Sequence, residues 1–293
     1  MTDWESITAS IGTASRQAFK LNKHTAVGGG CINQTCRISG RDGRHYFVKL
    51  NAVDKLTMFS AEISGLNEIA ATQAIRVPKP ISYGIASSQA FLVMEHLDLS
   101  GHGNPSLLGE QLAAMHHCAS SQFGYMQDNF IGSTPQLNAC SDDWVEFWRE
   151  RRLKYQLQLA SQNGYGDLLD SLGVNLLDAL PGFFDGYTPQ PSLLHGDLWG
   201  GNHAYLPNGS PVIFDPAIYY GDRECDIAMT ELFGGYRPDF YTAYRAAFPL
   251  HEGYTLRREL YNLYHILNHA NMFGGGYVRQ AEGMMRRLLA IVR

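Results

Sequence analysis

Three oxygen-bearing side chains, Asp197, Asn202 and Asp215, follow one another at a spacing that suits phosphoryl transfer. Asn202 comes five residues after Asp197, and Asp215 follows 13 residues later, directly after an apolar run. Transfer from a magnesium-bound nucleotide needs a carboxylate to orient or deprotonate the attacking hydroxyl, and further oxygen ligands for the metal ions that bridge the phosphates. The pattern therefore predicts Asp197 as the catalytic base and Asn202 and Asp215 as the Mg²⁺ ligands.

Each of these residue types also has a simpler interpretation, because Asp and Asn are common in loops and usually cap turns there. The complete set favours the chemical interpretation, since the order H-x-D-x-x-x-x-N at 195–202 and the later Asp215 occur together. The turn at 207–209, Pro-Asn-Gly, lies between the two segments and lets them fold back against each other.

A lysine inside an apolar strand supplies a second part of such a site. Lys49 lies in the run Tyr-Phe-Val-Lys-Leu at 46–50, and a charged group there needs a partner because burying it unpaired is unfavourable. We predict that Glu62, on the following helix, is that partner and that Lys49 contacts the α- and β-phosphates. The alternative is that Lys49 extends to solvent at the end of its strand.

A glycine triplet, Gly28, Gly29 and Gly30, precedes the first predicted strand pair. Glycines let backbone N–H groups approach phosphates closely, so we expect the triplet to contact the nucleotide. The triplet does not match G-x-G-x-x-G, and a flexible turn is its simpler interpretation. Cys31 follows directly, and a thiol beside anion-binding N–H groups is predicted to be the most reactive of the five cysteines. The alternative is a small residue in a tight loop with its thiol turned away.

The run at 91–97 ends the strand-rich part of the chain and is the predicted adenine-binding segment. The carbonyl of Glu95 and the N–H of Leu97 are the candidate hydrogen-bonding groups, with Met94 beside the base and His96 between them. A buried sheet edge is compatible with the same role.

The elements that position these residues change in character near residue 97. Before it, apolar runs at 35–38, 46–50, 81–84 and 91–95 predict short strands. Helical spacing over 59–74 predicts one helix, which the prolines at 78 and 80 must end.

After residue 97 most of the chain is predicted to be helical. Ser106 is predicted to cap a helix over 106–119, and Asp142 or Asp143 is predicted to cap a longer helix. Short strands are predicted again over 192–214, and helices from Asp226 onwards. The sequence thus predicts an α+β fold with two lobes and a cleft between them as the ligand site. The small β-rich N-lobe at 1–97 binds the nucleotide, and the larger, mainly helical C-lobe at 98–293 carries the catalytic loop and the acceptor site.

Composition excludes several classes of protein. The 293 residues are 45% hydrophobic and 17% charged, which is typical of a globular chain rather than a disordered or fibrous one. A net charge of −5 without a basic block argues against nucleic-acid binding. Apolar runs are far shorter than the ~20 residues of a membrane helix, and the first residues lack a signal-peptide pattern. Five cysteines without a C-x-x-C pair argue against a disulfide framework or structural zinc site. We expect a cytoplasmic protein that binds neither nucleic acid nor membrane.

The order of these features resembles the fructosamine-3-kinase, or ketosamine kinase, family, a branch of the aminoglycoside-phosphotransferase-like proteins with a protein-kinase-like fold. The resemblance covers 4–292 and is most specific in H-G-D-L-W-G-G-N at 195–202, I-F-D-P-A at 213–217 and Y-Y-G-D-R-E-C-D-I-A-M at 219–229. It implies ATP and Mg²⁺ as cofactors and the roles already given to Asp197, Asn202 and Asp215. It also implies that three residues of the last motif brace the catalytic loop: Asp222, Arg223 and Asp226.

Several features of protein kinases are missing. Gly196 stands where an Arg would follow the His, Asp215 is followed by Pro216 and Ala217, and no A-P-E segment occurs. These departures argue against binding of a protein substrate in the way that protein kinases bind theirs. The resemblance instead implies phosphorylation of the sugar 3-hydroxyl of ketosamines. These are adducts of reducing sugars with amines, such as ribulosamines and fructosamines. The product is unstable and frees the amine, so the implied role is deglycation of proteins or metabolites.

A polar acceptor site with aromatic borders is predicted in the C-lobe. Trp199, two residues after the base, can wall the sugar, while Asn268, His269 and Tyr277 surround the glycine run at 274–276. Asn and His can hydrogen-bond sugar hydroxyls, and glycines let the backbone approach. The alternatives are that Trp199 is a core residue and that the glycines only end a helix.

Two other functions remain open. A kinase of the same fold acting on an aminoglycoside, choline or homoserine would favour an acidic pocket, whereas the C-terminal segment offers Asn, His, Gly and Tyr. A nucleotide-binding module without catalysis could lose Lys49, Asp197, Asn202 or Asp215, and all four are present. We expect a monomer; oxidation at Cys31 would give a redox switch or a disulfide-linked dimer.

Overall fold

The computed structural model describes residues 2–28 and 32–292, and the chain forms two compact units. Unit 1 comprises Met1–Asn104 and Ala204–Asp215, and unit 2 comprises Pro105–His203 and Pro216–Arg293. The second segment of unit 1 joins the first through backbone hydrogen bonds, from Ile213 N to Arg76 O (3.0 Å) and from Asn104 N to Gly209 O (3.1 Å). The candidate ligand Asp215 therefore belongs to unit 1. A functional division after residue 97 stays a prediction.

Unit 1 is built on a five-stranded antiparallel sheet with the strand order β1-β2-β3-β5-β4. Its strands are β1 (Leu21–Ala26), β2 (Gln34–Gly40), β3 (His45–Ala52), β4 (Pro80–Ala86) and β5 (Gln89–Glu95). The short hairpin β9 (His203–Tyr205) and β10 (Pro211–Ile213) turns at the predicted position. The sequence located β2 to β5 because these strands are compact apolar runs separated by turn residues.

Two helices accompany this sheet in the described part of unit 1, whereas the sequence predicts one. The predicted helix is α2 (Leu56–Thr72); the additional helix is α1 (Trp4–Ser15). Asp3 caps α1 by accepting a hydrogen bond from Ser6 N (3.0 Å), and Ile7 and Ile11 are fully buried in the core beneath the sheet. Only these two residues of α1 are fully buried, so its apolar repeat is too short to identify a helix from the sequence.

Unit 2 is mainly helical. Its helices are α3 (Pro105–His116), α4 (Trp144–Phe147), α5 (Lys154–Ala160), α6 (Gly166–Ala179), α7 (Glu224–Leu232), α8 (Pro238–Ala247), α9 (Tyr254–Phe273) and α10 (Gly276–Ile291). Two π-helical segments, Trp148–Leu153 and Ser161–Tyr165, interrupt the run from α4 to α6. The core lies around the last helices and includes Trp148, Leu194 and Tyr219.

Two helix starts test the predicted caps. Asp143 caps α4 by accepting a hydrogen bond from Glu146 N (2.9 Å), as predicted. Ser106 does not cap α3, because the helix already begins at Pro105. Proline is favoured in the first turn, where its missing N–H would have no helical partner.

Two short antiparallel pairs position the loops of unit 2. They are β6 (Asn129–Ile131) with β7 (Thr134–Gln136), and β8 (Ser192–Leu194) with β11 (Tyr219–Gly221). Strand β8 ends directly before His195, so it anchors the start of the predicted catalytic loop. Across 2–28 and 32–292, each helix lacks the length or the apolar character that a membrane crossing requires.

Candidate active site

Lys49 is the buried centre of a charged cluster in unit 1. Its Nζ donates to Glu62 Oε1 at 2.7 Å and to Asp215 Oδ1 at 2.5 Å. The side chain is 5% exposed, so the alternative in which Lys49 extends to solvent is wrong. Burial alone would lower the pKa of Lys49, but the carboxylates of Asp215 and Glu62 raise it above its usual value. The cluster therefore keeps Lys49 cationic, and its contact with the phosphates stays a prediction.

The other two members of this cluster differ in exposure. Glu62 is 12% exposed, and burial raises its pKa to about 7 against the opposing charge of Lys49. The side chain of Asp215 is 47% exposed, and its backbone has φ of 58°, in the left-handed region. A residue other than glycine adopts this conformation rarely, and such strain is common at ligand sites.

The predicted adenine-binding segment comprises the end of β5 and the two residues that follow it. Met94 is buried opposite Phe47 in the sheet, and Glu95 ends the strand. The carboxylate of Glu95 accepts two hydrogen bonds from Arg76 at 2.5 Å. The backbone N–H of Glu95 donates to Lys79 O (2.8 Å). His96 and Leu97 continue beyond the strand, half-buried. The nucleotide roles of these four residues stay predictions.

Of the glycine triplet, only Gly28 lies among the described residues. It follows β1, and a β-carbon there would meet nothing within 4 Å. The predictions for Gly29, Gly30 and the redox candidate Cys31 fall on residues 29–31, outside the described part of the chain. The other four cysteines have free thiols.

In unit 2, Asp197 and Asn202 lie at opposite ends of a tight loop after β8. Asn202 Nδ2 donates to the backbone oxygen of Asp197 at 2.8 Å and to its Oδ2 at 3.3 Å. The backbone N–H of Asp197 donates to Nδ1 of His195, which is fully buried. Asn202 thus turns its amide nitrogen towards Asp197, which leaves its amide oxygen Oδ1 as the group that can bind a cation.

A buried carboxylate holds the backbone that precedes Asp197. Asp226 accepts hydrogen bonds from His195 N (2.7 Å) and Gly196 N (2.9 Å), and it contacts His116 Nε2 (3.1 Å). Burial would raise the pKa of Asp226, but the hydrogen bonds that it accepts from His116 and from the backbone hold it below its usual value. Asp226 therefore braces the loop as a carboxylate, in the role that the resemblance implies.

Gly196 explains one departure from protein kinases. Its φ is +83°, and a β-carbon there would collide with the carbonyl oxygen of Ala217. A side chain such as arginine therefore does not fit at this position. The sequence analysis identified the departure but not its steric cause.

Asp222 and Arg223 brace the segment after β11. Asp222 accepts hydrogen bonds from Tyr187 Oη (3.0 Å), Tyr261 Oη (2.5 Å) and Glu224 N (3.0 Å). Arg223 donates to Phe248 O (3.1 Å), with its guanidinium 3.6 Å from the centre of that ring. Both contacts are internal to unit 2, in agreement with structural roles.

Trp199 is 41% exposed, so its alternative interpretation as a core residue is wrong. The ring packs over Gly201, where a β-carbon would collide with it. The Tyr236 hydroxyl donates to the backbone oxygens of Leu198 (3.3 Å) and Trp199 (3.2 Å) and so holds this part of the loop. An exposed indole two residues from Asp197 is available to a ligand.

The remaining acceptor candidates lie at the junction of α9 and α10. His269 is surrounded by aromatic rings, with centroid distances of 5.0 Å to Phe233, 5.7 Å to Phe273 and 5.1 Å to Tyr277. Its Nδ1 lies 2.8 Å from the carbonyl oxygen of His265. A carbonyl only accepts, so Nδ1 carries a proton, and the tautomer with its proton there has Nε2 as an acceptor.

Asn268 differs from its neighbour because it is buried and hydrogen-bonded within the protein. Its Nδ2 donates to Ile131 O (3.3 Å), and its Oδ1 accepts from Gln156 Nε2 (3.3 Å). An acceptor contact by Asn268 stays a prediction. Sequence reasoning missed His116, Tyr236 and Phe233, since nothing in their local sequence marks them as neighbours of the site.

The oxygen donors fit a hard divalent cation such as Mg²⁺. The amide oxygen of Asn202 and the half-exposed carboxylate of Asp215 are of the type that Mg²⁺ prefers, and Mg²⁺ keeps several waters or phosphate oxygens as its other ligands. Within the described residues, His, Cys, Asp and Glu form no cluster of three that could hold a metal alone. The roles of Asn202 and Asp215 as Mg²⁺ ligands stay predictions.

Comparison with known proteins agrees with this chemistry. The fructosamine kinase family profile matches residues 3–291. A protein of Synechocystis named a probable ketoamine kinase is 46% identical over 98% of this chain and 97% of its own length. The chloroplastic protein-ribulosamine 3-kinase of Arabidopsis thaliana is 42% identical over 94% of this chain and 86% of its own length.

Solved structures show the same fold. The crystal structure of a protein from Haemophilus somnus, provisionally named a fructosamine-3-kinase, has a TM-score of 0.90 at 28% identity and covers 98% of both chains. A macrolide 2′-phosphotransferase shares the fold alone, with a TM-score of 0.55 at 14% identity over 97% of this chain and 96% of that one. The predicted α+β, protein-kinase-like fold is confirmed. The chain belongs to the fructosamine kinase family and is a phosphotransferase.

Proposed function

We propose that the protein transfers the γ-phosphoryl group of ATP to the 3-hydroxyl of a ketosamine. The observation that carries the proposal is the braced loop that presents Asp197 beside Asn202 in a chain of this family. In the reaction, the acceptor oxygen forms a bond to the γ-phosphorus while the bond from that phosphorus to the β–γ bridging oxygen breaks. ADP leaves, and the hydroxyl proton passes to the carboxylate of Asp197.

The charged cluster of unit 1 supports the nucleotide part of the proposal. Lys49 is a buried cation whose ammonium group is held in one position by Glu62, so it can bind the α- and β-phosphates without first being ordered. Gly28 with Gly29 and Gly30 cradles the phosphates, and the segment from Met94 to Leu97 binds the adenine.

A divalent cation, Mg²⁺ in our proposal, neutralises charge that develops on the phosphates when it is bound. Asn202 Oδ1 and the carboxylate of Asp215 would hold it. Because Asp215 is half-exposed and paired with Lys49, its carboxylate can exchange partners without unfolding its surroundings.

The acceptor part of the proposal rests on an aromatic surface in unit 2. Trp199 borders the sugar, Tyr277 lies beside His269, and Nε2 of His269 accepts a hydrogen bond from a sugar hydroxyl. Asn268 is proposed as a further contact of the acceptor sugar. The surface offers neutral polar and aromatic groups, which suit a sugar better than the acidic lining expected for a choline or aminoglycoside kinase.

The proposed role is deglycation of a small amine or of a protein, because the family's phosphorylated products are unstable and free the amine. We further propose that the enzyme acts in the cytoplasm as a monomer, and that Cys31 provides its redox sensitivity.

The test is ADP release with ATP and a panel of acceptors: ribulosyl-lysine, fructosyl-lysine, an aminoglycoside and choline. We expect turnover with the two ketosamines and none with the other two. Turnover of the aminoglycoside or choline alone would replace the proposal with the alternative kinase class. Nucleotide binding without turnover of any acceptor would instead support a non-catalytic module.

A further inference from the structure

A cluster of buried amide side chains lies between the β6–β7 hairpin and the segment that follows Asp215. We call Asn129, Gln136 and Asn138 the amide cluster; their exposed fractions are 5%, 1% and 0%. Asn129 Nδ2 donates to Ile218 O at 2.7 Å, and Asn138 Nδ2 donates to Asn129 Oδ1 at 3.0 Å. The cluster is thus a connected hydrogen-bonded network inside unit 2.

Gln136 is the centre of this network. Its Nε2 donates to Ala217 O at 2.9 Å and to Asn129 Oδ1 at 2.8 Å, and its Oε1 accepts from Tyr264 Oη at 2.8 Å. Both N–H bonds of the amide are used, so the side chain is fixed at both ends. A buried amide with complete hydrogen bonding specifies one position for the groups around it.

Ala217 connects this amide to the catalytic loop. Its N–H donates to His195 O at 2.8 Å, and its carbonyl oxygen packs against the α-carbon of Gly196 so closely that a side chain is excluded. His195 and Gly196 directly precede Asp197. A shift of the Ala217 peptide must therefore move the backbone that carries the proposed base.

A buried arginine anchors the far side of the cluster. Arg152 is fully buried, donates to Asn138 Oδ1 at 2.8 Å, and lies 4.0 Å from the ring centre of Tyr219. In the described residues no carboxylate lies within ion-pair distance of it. Hydrogen bonds to Leu137 O, Arg151 O and Asn138 Oδ1, together with the contact with the Tyr219 ring, compensate the burial of its charge and hold both the cluster and Tyr219 in place.

We propose that Gln136 is a positioning residue for phosphoryl transfer, which holds the Ala217 carbonyl and thereby fixes the loop from His195 to Asp197. The inference rests on the proposed function, because it assigns Gln136 a role in that reaction. Gln136 touches neither substrate nor nucleotide. Its loss should therefore lower kcat without changing the binding of either.

The test compares Gln136→Met, Tyr264→Phe and the double variant in steady-state kinetics, using the ketosamine that the parent phosphorylates. We expect kcat to fall at least tenfold in Gln136→Met and severalfold in Tyr264→Phe, with both KM values within twofold of the parent. The double variant should match Gln136→Met alone, because both changes act through one hydrogen-bonded chain. Turnover is expressed per molecule that binds Mg-ATP, which removes any loss due to unfolded protein.

Tyr254→Phe is the matched control. It removes a buried hydroxyl on the same helix, one that donates to Glu231 Oε1 at 2.7 Å, and it should keep the parental kcat. Parental kcat in Gln136→Met, or a kcat loss equal to that of the control, would overturn the inference. If Gln136→Met does not fold, Tyr264→Phe alone tests the inference, and a parental kcat in that variant would overturn it. Failure of the proposed function is distinguishable, because the parent itself would then release no ADP with any ketosamine.

Discussion

The two units hold their candidate catalytic residues in different ways. In unit 1, Lys49 holds Glu62 and Asp215 by charge, and the side chain of Asp215 is 47% exposed. In unit 2, Asp197 is placed by its backbone, which hydrogen-bonds to the buried carboxylate of Asp226. The half-exposed carboxylate of Asp215 can release Lys49 and bind a ligand instead. The buried carboxylate of Asp226 is out of reach of a ligand and keeps its hydrogen bonds to the loop. The cluster of unit 1 is therefore suited to bind and release a charged nucleotide, and the loop of unit 2 to keep one geometry throughout turnover.

The largest expected effect is on the rate of phosphoryl transfer. It comes from a substitution that leaves both the charged cluster of unit 1 and the Asp226 hydrogen bonds of unit 2 intact. Asp197→Asn should lower kcat by a factor on the order of 10²–10⁴, because general-base catalysis is lost while the shape of the loop is kept. Thermal stability and Mg-ATP affinity should stay near those of the parent. Steady-state ADP release measures the effect, with Asp178→Asn on the exposed face of α6 as the control. Near-parental turnover in Asp197→Asn would remove Asp197 from the mechanism.

The brace itself can be broken at Asp226. Asp226→Asn should lower the free energy of unfolding by about 3 kcal/mol, because one of the two carboxylate oxygens that face His195 N, Gly196 N and His116 becomes an amide nitrogen and leaves a buried donor without its acceptor. Glu62→Gln in unit 1 should cost about 1 kcal/mol, since Lys49 keeps Asp215 as a partner. Urea denaturation of both variants measures the difference. Equal losses would contradict the contrast between a braced loop and an exchangeable cluster.

Exchange of partners in unit 1 can be tested at Asp215. In Asp215→Ala, the rise in melting temperature that Mg-ATP produces should fall to that produced by ATP with a chelator, because a hard oxygen ligand is lost. Asp54→Ala, which removes an exposed carboxylate from the same unit, should keep the full shift. A full Mg²⁺-dependent shift in Asp215→Ala would exclude that residue as a principal ligand.

The smallest effect concerns pH and the core of unit 2. Burial lowers the pKa of His265 to about 3, against about 6.5 in an unfolded chain. Below pH 6.5 the unfolded state therefore binds a proton that the folded state excludes, and stability falls as the pH falls.

His265→Phe should remove this contribution, which amounts to about 1 kcal/mol between pH 6.5 and 5.5. Urea denaturation of parent and variant at these two pH values measures the difference in slope. His117→Phe, at an exposed position of unit 2, should leave the parental slope unchanged. An unchanged slope in His265→Phe would show that this imidazole does not titrate with unfolding.

Local patterns were enough to locate most elements and the ionic partner of Lys49. Strands β2 to β5 and helix α2 are strong apolar repeats, and the need to pair a buried lysine pointed to Glu62, a pairing that the structure contains. Helix α1 escaped detection because only two of its residues are fully buried, and α3 begins at Pro105 rather than after Ser106. Tertiary packing determines whether a weakly periodic segment forms a helix and which of several candidate residues caps it. Local sequence patterns do not contain this information.

The sequence by itself determined the chemistry of this protein, because residue types at set spacings along one loop, such as Asp197 and Asn202, limit what that loop can do. Only the tertiary structure decided what holds the loop in place. Asp226 and His116 approach it from separate helices, and Gln136 reaches Ala217 from a hairpin 81 residues earlier in the chain. Hydrogen bonds between residues so far apart depend on the packing of whole elements, and no local pattern of residues records that packing.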